Sequence, residues 1–329
     1  MSPLIPRLHL FEIDDQSWFH PYLRARVQDG LMHAWTFSLP FLWSSSPATL
    51  VASILQRTLG SLVSQYTFID FCAGAGGPTP FIEKALNASL SRASSSSVLP
   101  PPSTTDAASR VTPSYADMAG RDSNGSANAG QGEGSDSRAV DFVLTDLHPH
   151  PSSWAQIAAA SKHVTYVPFP VDASDAPEGL IQKYKARGRR VFRLFNLAFH
   201  HFDDPLARAI LKNTVETSDG FGIFEMQDRS FGSLVTCFMY GFFIMLCAPF
   251  FYWWSPIRLF FVYAMPIVPF VLVFDGIVSS LRTRTPEEVE ILLRTCGADT
   301  SEWEIKSGRE RFLWPTGYLN WIVCTKKSS

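Results

Sequence analysis

Residues 68–84 read FIDFCAGAGGPTPFIEK: an apolar strand carrying Asp70 near its end, a turn of small residues, and the start of a helix behind Pro80. Small side chains in such a turn let a ligand's backbone or sugar approach the main chain closely. Working outward, short apolar runs recur at YTFIDFC (66–72), AVDFVLTDL (139–147), HVTYVPF (163–169), RRVFRLFNL (189–197) and GFGIFEMQD (220–228). Their apolar character is continuous rather than alternating, which predicts strands buried on both faces, as in a parallel sheet with crossover helices. Helices are expected over 81–90, 154–161, 178–186 and 205–217. A further helix is marked by Thr285 as cap, Pro286 at the first helical position, acids in the first turn and Gly297 as stop. WEIKSGRERFL (303–313) and YLNWIVCTK (318–326), separated by Pro315 and Gly317, predict a terminal antiparallel hairpin.

The rest of the chain divides by composition. Residues 88–138 are Ser, Pro, Gly, Asn and Ala with scattered charges, too poor in large apolar side chains to offset the entropy of ordering, and are read as a disordered insert. Residues 1–65 carry aromatic anchors from Trp18 to Trp43 and then Leu50, Val51, Ile54, Leu55 and Leu59 at helical spacing, a helical N-terminal cap. The opening MSPLIPRLHLFEIDDQ lacks a long apolar core and meets Asp14 and Asp15 early, so no secretory signal peptide is expected there. Residues 229–284 form an apolar insertion. Within it Phe231 to Trp254 are 24 residues without a charge, about 36 Å as a helix against ~30 Å of hydrocarbon. Ile257 to Phe274 carry Arg258 alone and are interrupted by Pro266 and Pro269, which predicts a kinked span, a re-entrant segment or an interfacial helix. Because soluble elements stand on both sides, the chain must leave and return on one face; Arg229, Arg282 and Arg284 place that face in the cytosol. The competing reading is a buried hydrophobic cap over the active site.

Net charge is −2, from 28 basic and 30 acidic residues, so nothing holds a phosphate backbone and no nucleic-acid partner is expected. Five cysteines without a CxxC pair indicate neither a disulfide framework nor a zinc site, and a reducing compartment is the default.

Asp146 ends the second strand, where a carboxylate can accept from both hydroxyls of a ribose, and Asp172 follows the third, where it can accept from an exocyclic amine. Together with the glycine turn these residues resemble the class I S-adenosylmethionine-dependent methyltransferases over residues 66–228 and 285–325. Asp70, Gly74 and Gly76 match that family's first motif, and Cys72 stands where it has a glycine. The resemblance implies a Rossmann-like α/β fold, a seven-stranded sheet with helices on both faces and a C-terminal antiparallel hairpin, and S-adenosyl-L-methionine as cofactor. It further implies that Asp70 orients the turn and the methionine amino group. Ala73, Gly74 and Gly76 would line methionine and ribose, Asp146 the ribose, Asp172 the adenine, and Asn196 would lie beside the sulfonium.

His200 and His201 follow the fourth strand, at the end of the sheet where open α/β folds bind ligands, and are the candidate bases for a hydroxyl or acid acceptor. Glu225 and Asp228 are secondary candidates. No acid cluster suggests a magnesium site, and no metal is expected. The reading is a membrane-associated methyltransferase acting on a lipophilic small molecule, O-methylation favoured, with membrane lipid as a second partner. Its rivals are a membrane-anchored scaffold with a non-catalytic methyltransferase fold and a nicotinamide-dependent oxidoreductase.

Overall fold

The structure is a computed structural model that describes residues 5–38, 45–96 and 138–327. Most of the Ser/Pro/Gly-rich stretch, 97–137, and Leu39, Phe41, Leu42 and Trp43 of the cap lie outside the described residues. The chain divides into a main unit, residues 1–86 with 140–329, and a second unit, residues 87–139.

Seven strands form one sheet in the order β3-β2-β1-β4-β5-β7-β6. They are β1 (Tyr66–Phe71), β2 (Asp141–Thr145), β3 (Val164–Tyr166), β4 (Arg190–Asn196), β5 (Gly220–Glu225), β6 (Trp303–Leu313) and β7 (Gly317–Lys326). The first five run parallel, and β7 lies antiparallel to both β5 and β6. This is the expected fold class. Every residue of β1 and β5 is buried, as continuous apolar runs require. Register brings Phe68 opposite both Phe142 and Phe192, and the rings of Phe68 and Phe142 stack at 4.9 Å.

The connecting helices are α3 (Thr79–Ser96), α4 (Pro151–Ala160), α5 (Glu178–Lys185), α6 (Asp204–Thr217) and α10 (Pro286–Arg294). Two bounds differ from expectation by more than two residues: α3 runs on to Ser96, into the stretch read as unstructured, and α4 starts at Pro151, whose ring suits a first helical position. The cap of α10 is the expected one. Thr285 Oγ1 accepts from Glu288 N–H while the Glu288 carboxylate accepts from Thr285 N–H, a reciprocal capping box.

In the cap, α1 (Pro21–Thr36) and α2 (Pro47–Leu59) follow a non-helical strap, residues 5–20. Val51, Ile54, Leu55 and Leu59 form the buried stripe of α2, which packs on β6 and β7. The insertion comprises α7 (Phe231–Tyr252), α8 (Pro256–Leu259) with a π-helical turn (Phe260–Ala264), and α9 (Ile267–Arg282). The chain bends by 59° between that turn and α9, where Pro266 interrupts it, so the expected kink is present. Among the described residues α7 is long and apolar enough to cross a membrane, with 11% of its most apolar window buried. The strap is fastened to α9: Asp275 accepts from the backbone N–H of Ile13 at 2.7 Å and of Asp14 at 3.0 Å, and Leu8 N–H donates to Leu281 C=O.

Candidate functional site

Strand order reverses between β1 and β4, the switch point at whose carboxyl end open α/β sheets bind ligands. Three side chains meet there, Asp70, Thr79 and Asn196. Asp70 is fully buried; its Oδ2 accepts from Thr79 Oγ1 and, at 3.3 Å, from Asn196 Nδ2. Asp70 Oδ1 and Asn196 Oδ1 are buried without a hydrogen-bond partner among the described residues. Burial pushes the Asp70 carboxyl up to about 7, against the opposing pull of the Thr79 and Asn196 donors. An unmet buried acceptor costs roughly 1–3 kcal/mol, and no donor among the described residues meets either oxygen.

The turn after β1 is left-handed at Cys72 (φ 71°), Gly74 (52°), Gly76 (120°) and Gly77 (49°). The place where the family has a first glycine is therefore set by backbone angle, not side-chain size, and Cys72 adopts it at a cost of order 1–2 kcal/mol. Leu197 (φ 53°), directly after β4, is the other non-glycine residue with positive φ among the described residues. Both strained residues leave adjacent, paired strands at the switch point, the kind of place where strain accompanies function. A Cβ on Gly74 would meet nothing within 4 Å, whereas one on Gly76 would lie 2.3 Å from Ile157 Cδ1. Gly74 thus borders open space, and Gly76 permits the turn to pack on α4. Ala73 is buried, its N–H donating to Thr145 C=O at 3.0 Å.

Asp146 is half-buried beside this turn. Its Oδ2 accepts from Gly74 N–H at 2.8 Å and its Oδ1 from His148 N–H at 2.7 Å, so both oxygens are oriented and each keeps a second lone pair. Asp172 is exposed and its Oδ1 accepts from Ser174 N–H and Oγ, both at 2.7 Å, which makes it the cap of its own loop. That loop is tied down by Arg193, fully buried in β4, which donates to Ala173 C=O, Asn213 Oδ1 and Thr217 Oγ1. Asp70, Ala73, Gly74, Gly76, Asp146 and Asn196 are brought together around the switch point; Asp172 stands on the loop after β3.

His200 and His201 sit on a 3-10 turn (Phe199–His201) after β4, their rings 4.2 Å apart and tilted by 35°. Each is oriented through Nδ1: His200 to Glu225 Oε2 at 2.9 Å, His201 to Asp15 Oδ2 at 3.1 Å. Their Nε2 atoms both face Glu12, 3.6 Å from Oε1 and 3.8 Å from Oε2. Glu12, on the strap, is buried and held by Ser279 Oγ at 2.9 Å and Arg282 Nη1 at 3.1 Å. Burial lowers the His200 pKa to about 3, keeping the ring neutral, and raises Glu12 to about 7 and Glu225 to about 8. Asp228 caps Ser230 N–H at the start of α7 and pairs with Arg309 at 3.0 Å. Sequence reasoning missed Glu12; its signal was a run of acids, Glu12, Asp14 and Asp15, inside an apolar opening segment.

A cavity of about 190 Å³ opens against this wall, bounded among others by Leu31, Leu197, Met226, Tyr240 and Leu272, so that the sheet forms its floor and α1, α7 and α9 its roof. A larger groove of about 690 Å³ shares His200 with it and is lined further by Glu225, the start of α7, α10, β6 and β7; neither is lined by a residue of β1 or β2. Leu197 ties the smaller cavity to the switch point, since its neighbour Asn196 contacts Asp70.

No family model and no curated protein matches the chain. Among solved structures it is similar to the plantazolicin methyltransferase BpumL in complex with SAH, at 11% identity over 93% of this chain and 98% of that one, TM-score 0.39. It is also similar to the Burkholderia thailandensis 1,6-didemethyltoxoflavin-N1-methyltransferase with bound 1,6-didemethyltoxoflavin and S-adenosylhomocysteine (13%, 95% and 93%, 0.39). A third is described as putative Zn-dependent alcohol dehydrogenases from Rhodobacter sphaeroides (10%, 92% and 98%, 0.40). Likenesses this distant carry no chemistry to this chain, whose own strand order and site geometry say more.

Proposed function

We propose that the protein is an S-adenosyl-L-methionine-dependent methyltransferase that methylates an oxygen of a lipophilic small molecule at a membrane surface. The observation that carries this reading is the pair of orphaned buried acceptors, Asp70 Oδ1 and Asn196 Oδ1, at the switch point. The ammonium of a methionine moiety is a donor that fits them, and its charge would favour the ionised form of Asp70 that burial alone disfavours. Asp146, already oriented by Gly74 and His148, would accept from the ribose hydroxyls, and open space at Gly74 admits the sugar. Ala73 and Gly76 shape that turn, and Asp172 is assigned to the adenine. The cofactor, when bound, supplies an electrophilic methyl group on a sulfonium.

The chain's own contribution is placement and proton removal. Leu197 and Met226 floor the acceptor cavity, and the apolar roof excludes water. His200, His201 and Glu12 present ring lone pairs and carboxylate oxygens at its wall, where a hydroxyl proton is withdrawn. His201, part-exposed, exchanges that proton with solvent; His200, wholly buried, orients the wall through Glu225.

Membrane lipid is the second partner. The faces that α7 and the insertion's tip leave exposed are apolar, with Phe242, Phe250, Trp253 and Trp254 each more than 60% exposed. The sheet domain is assigned to the cytosolic side, the side of Arg229, Arg282 and Arg284. Those arginines also pair internally, with Glu288, Glu12 and Asp204. The test is to incubate protein in lipid nanodiscs with S-adenosyl-L-methionine bearing a deuterated methyl group and a panel of lipophilic phenols and carboxylic acids. A labelled ether or ester is expected; S-adenosylhomocysteine binding with no labelled product from any oxygen acceptor would favour the scaffold reading.

A further inference from the structure

We propose that His200, His201 and Glu12 form a binding site for one divalent first-row transition-metal cation, of the zinc or ferrous class, in the wall of the acceptor cavity. The ligand set is two imidazole nitrogens and one carboxylate, whose candidate ligand atoms all lie within 4.8 Å of one another. Imidazole selects such cations over magnesium and calcium, which take oxygen shells.

Geometry carries the inference. The His200 Nε2 to Glu12 Oε1 and His201 Nε2 to Glu12 Oε2 separations, 3.6 and 3.8 Å, are too long for hydrogen bonds. They are close to the ~3.4 Å that separates two ligands each about 2.1 Å from a shared tetrahedral metal. In the tautomer whose Nδ1 donates to the carboxylate behind it, each ring turns an Nε2 lone pair towards the Glu12 carboxylate. A cation at that point would be met by both rings and by Glu12 together.

The outer shell has the form metal sites use. Glu225 behind His200 and Asp15 behind His201 fix ring direction, as carboxylates behind metal-bound histidines do. The two rings lie 4.2 Å apart, tilted by 35°, and each Nε2 lies within 3.8 Å of a Glu12 oxygen. Ser279 and Arg282 hold Glu12 Oε1, leaving Oε2 towards His201. Three carboxylates, Glu12, Asp15 and Glu225, surround the histidines, and Arg282 neutralises one of them. Three protein ligands leave a position open to the cavity they line, where an oxygen of a bound molecule would complete the shell. The site exists because Asp275 latches the strap onto α9 and so carries Glu12 across to the end of β4.

The proposal concerns cation binding and stands whether or not the protein transfers methyl groups; a ring nitrogen that holds the cation is not at the same time the base. Its test is titration of the chelator-treated full chain in detergent with Co²⁺, read by visible d–d absorption, followed by Zn²⁺ competition, with thermal unfolding recorded for every variant. One equivalent of cobalt is expected, displaced by zinc. His201→Asn and Glu12→Gln, each removing a ligand, should weaken binding by more than ~100-fold, and Asp15→Asn, removing an outer partner, by about 10–100-fold. His201 is part-exposed, so its variant tests the site even if Glu12→Gln fails to fold. Folded protein that shows no cobalt band, or a one-equivalent affinity unchanged in folded His201→Asn, overturns the site.

Discussion

The two long helices of the insertion are both largely apolar and opposite in role. Of 22 residues in α7, Ser233, Gly241 and Ala248 are buried, and Phe238, Phe242, Leu246 and Phe250 recur along one exposed face. In α9, nine of 16 residues are buried, Asp275 and Arg282 among them. The difference lies in a stripe. Asp275, Ser279 and Arg282, at spacings of four and three, mark one face of α9, and that face meets the strap and Glu12. On α7 the corresponding marks are small: Ser233, Cys237 and Gly241, four apart, face α9, with Ser233 and Cys237 near Ser280 and Gly241 against Val273. A polar stripe through an apolar helix therefore signals a buried polar partner, and a small-residue stripe signals a helix neighbour; the face that carries neither is left exposed.

Substitutions that erase one stripe or the other break this contrast most sharply. Asp275→Leu removes the acceptor for two backbone N–H groups and should cost about 2–5 kcal/mol, measured by chemical unfolding in detergent. Faster proteolysis within residues 5–20 should accompany it. Gly241→Val places a Cβ that would lie 2.3 Å from Val273 Cγ2 and should cost about 1–3 kcal/mol, read by thermal unfolding. Phe242→Gln and Phe250→Gln, on the exposed face, should leave unfolding within ~0.5 kcal/mol of the parent. Sedimentation with liposomes should fall by roughly 1–3 kcal/mol of partitioning for each. If they unfold the protein instead, α7 is covered by protein rather than lipid.

The gentlest perturbation is a pH series, which separates the sheet from the insertion. Unfolded Asp70 releases its proton near 3.8 and folded Asp70 near about 7, so between these values the folded state binds more protons and stability falls as pH rises, levelling off above 7. Thr79 and Asn196 donate to the charged form and already hold this rise in pKa below what burial alone would give. Asp70→Asn should flatten this part of the profile, while the α7 surface variants leave it unchanged.

Elements whose signals are local were legible in the sequence. The buried strands, the glycine turn, the Thr285 cap and the break at Pro266 all follow from neighbours within a few residues. The left-handed angle at Cys72 was not, since residue size says nothing of φ where the backbone sets it. Nor was Glu12, because its partners His200 and Arg282 lie far along the chain and only the folded strap brings them together. Asp172 shows the reverse case: a strand-end acid that looked like Asp146 in sequence spends its Oδ1 on its own loop.

The central claim is that the switch point binds the methyl donor. Isothermal titration of the detergent-solubilised protein with S-adenosylhomocysteine, beside Asp146→Ala of matched thermal stability, tests it most directly. Micromolar binding by the parent that is lost in the variant is the predicted result; no heat from demonstrably folded parent, or equal binding by both, would contradict it.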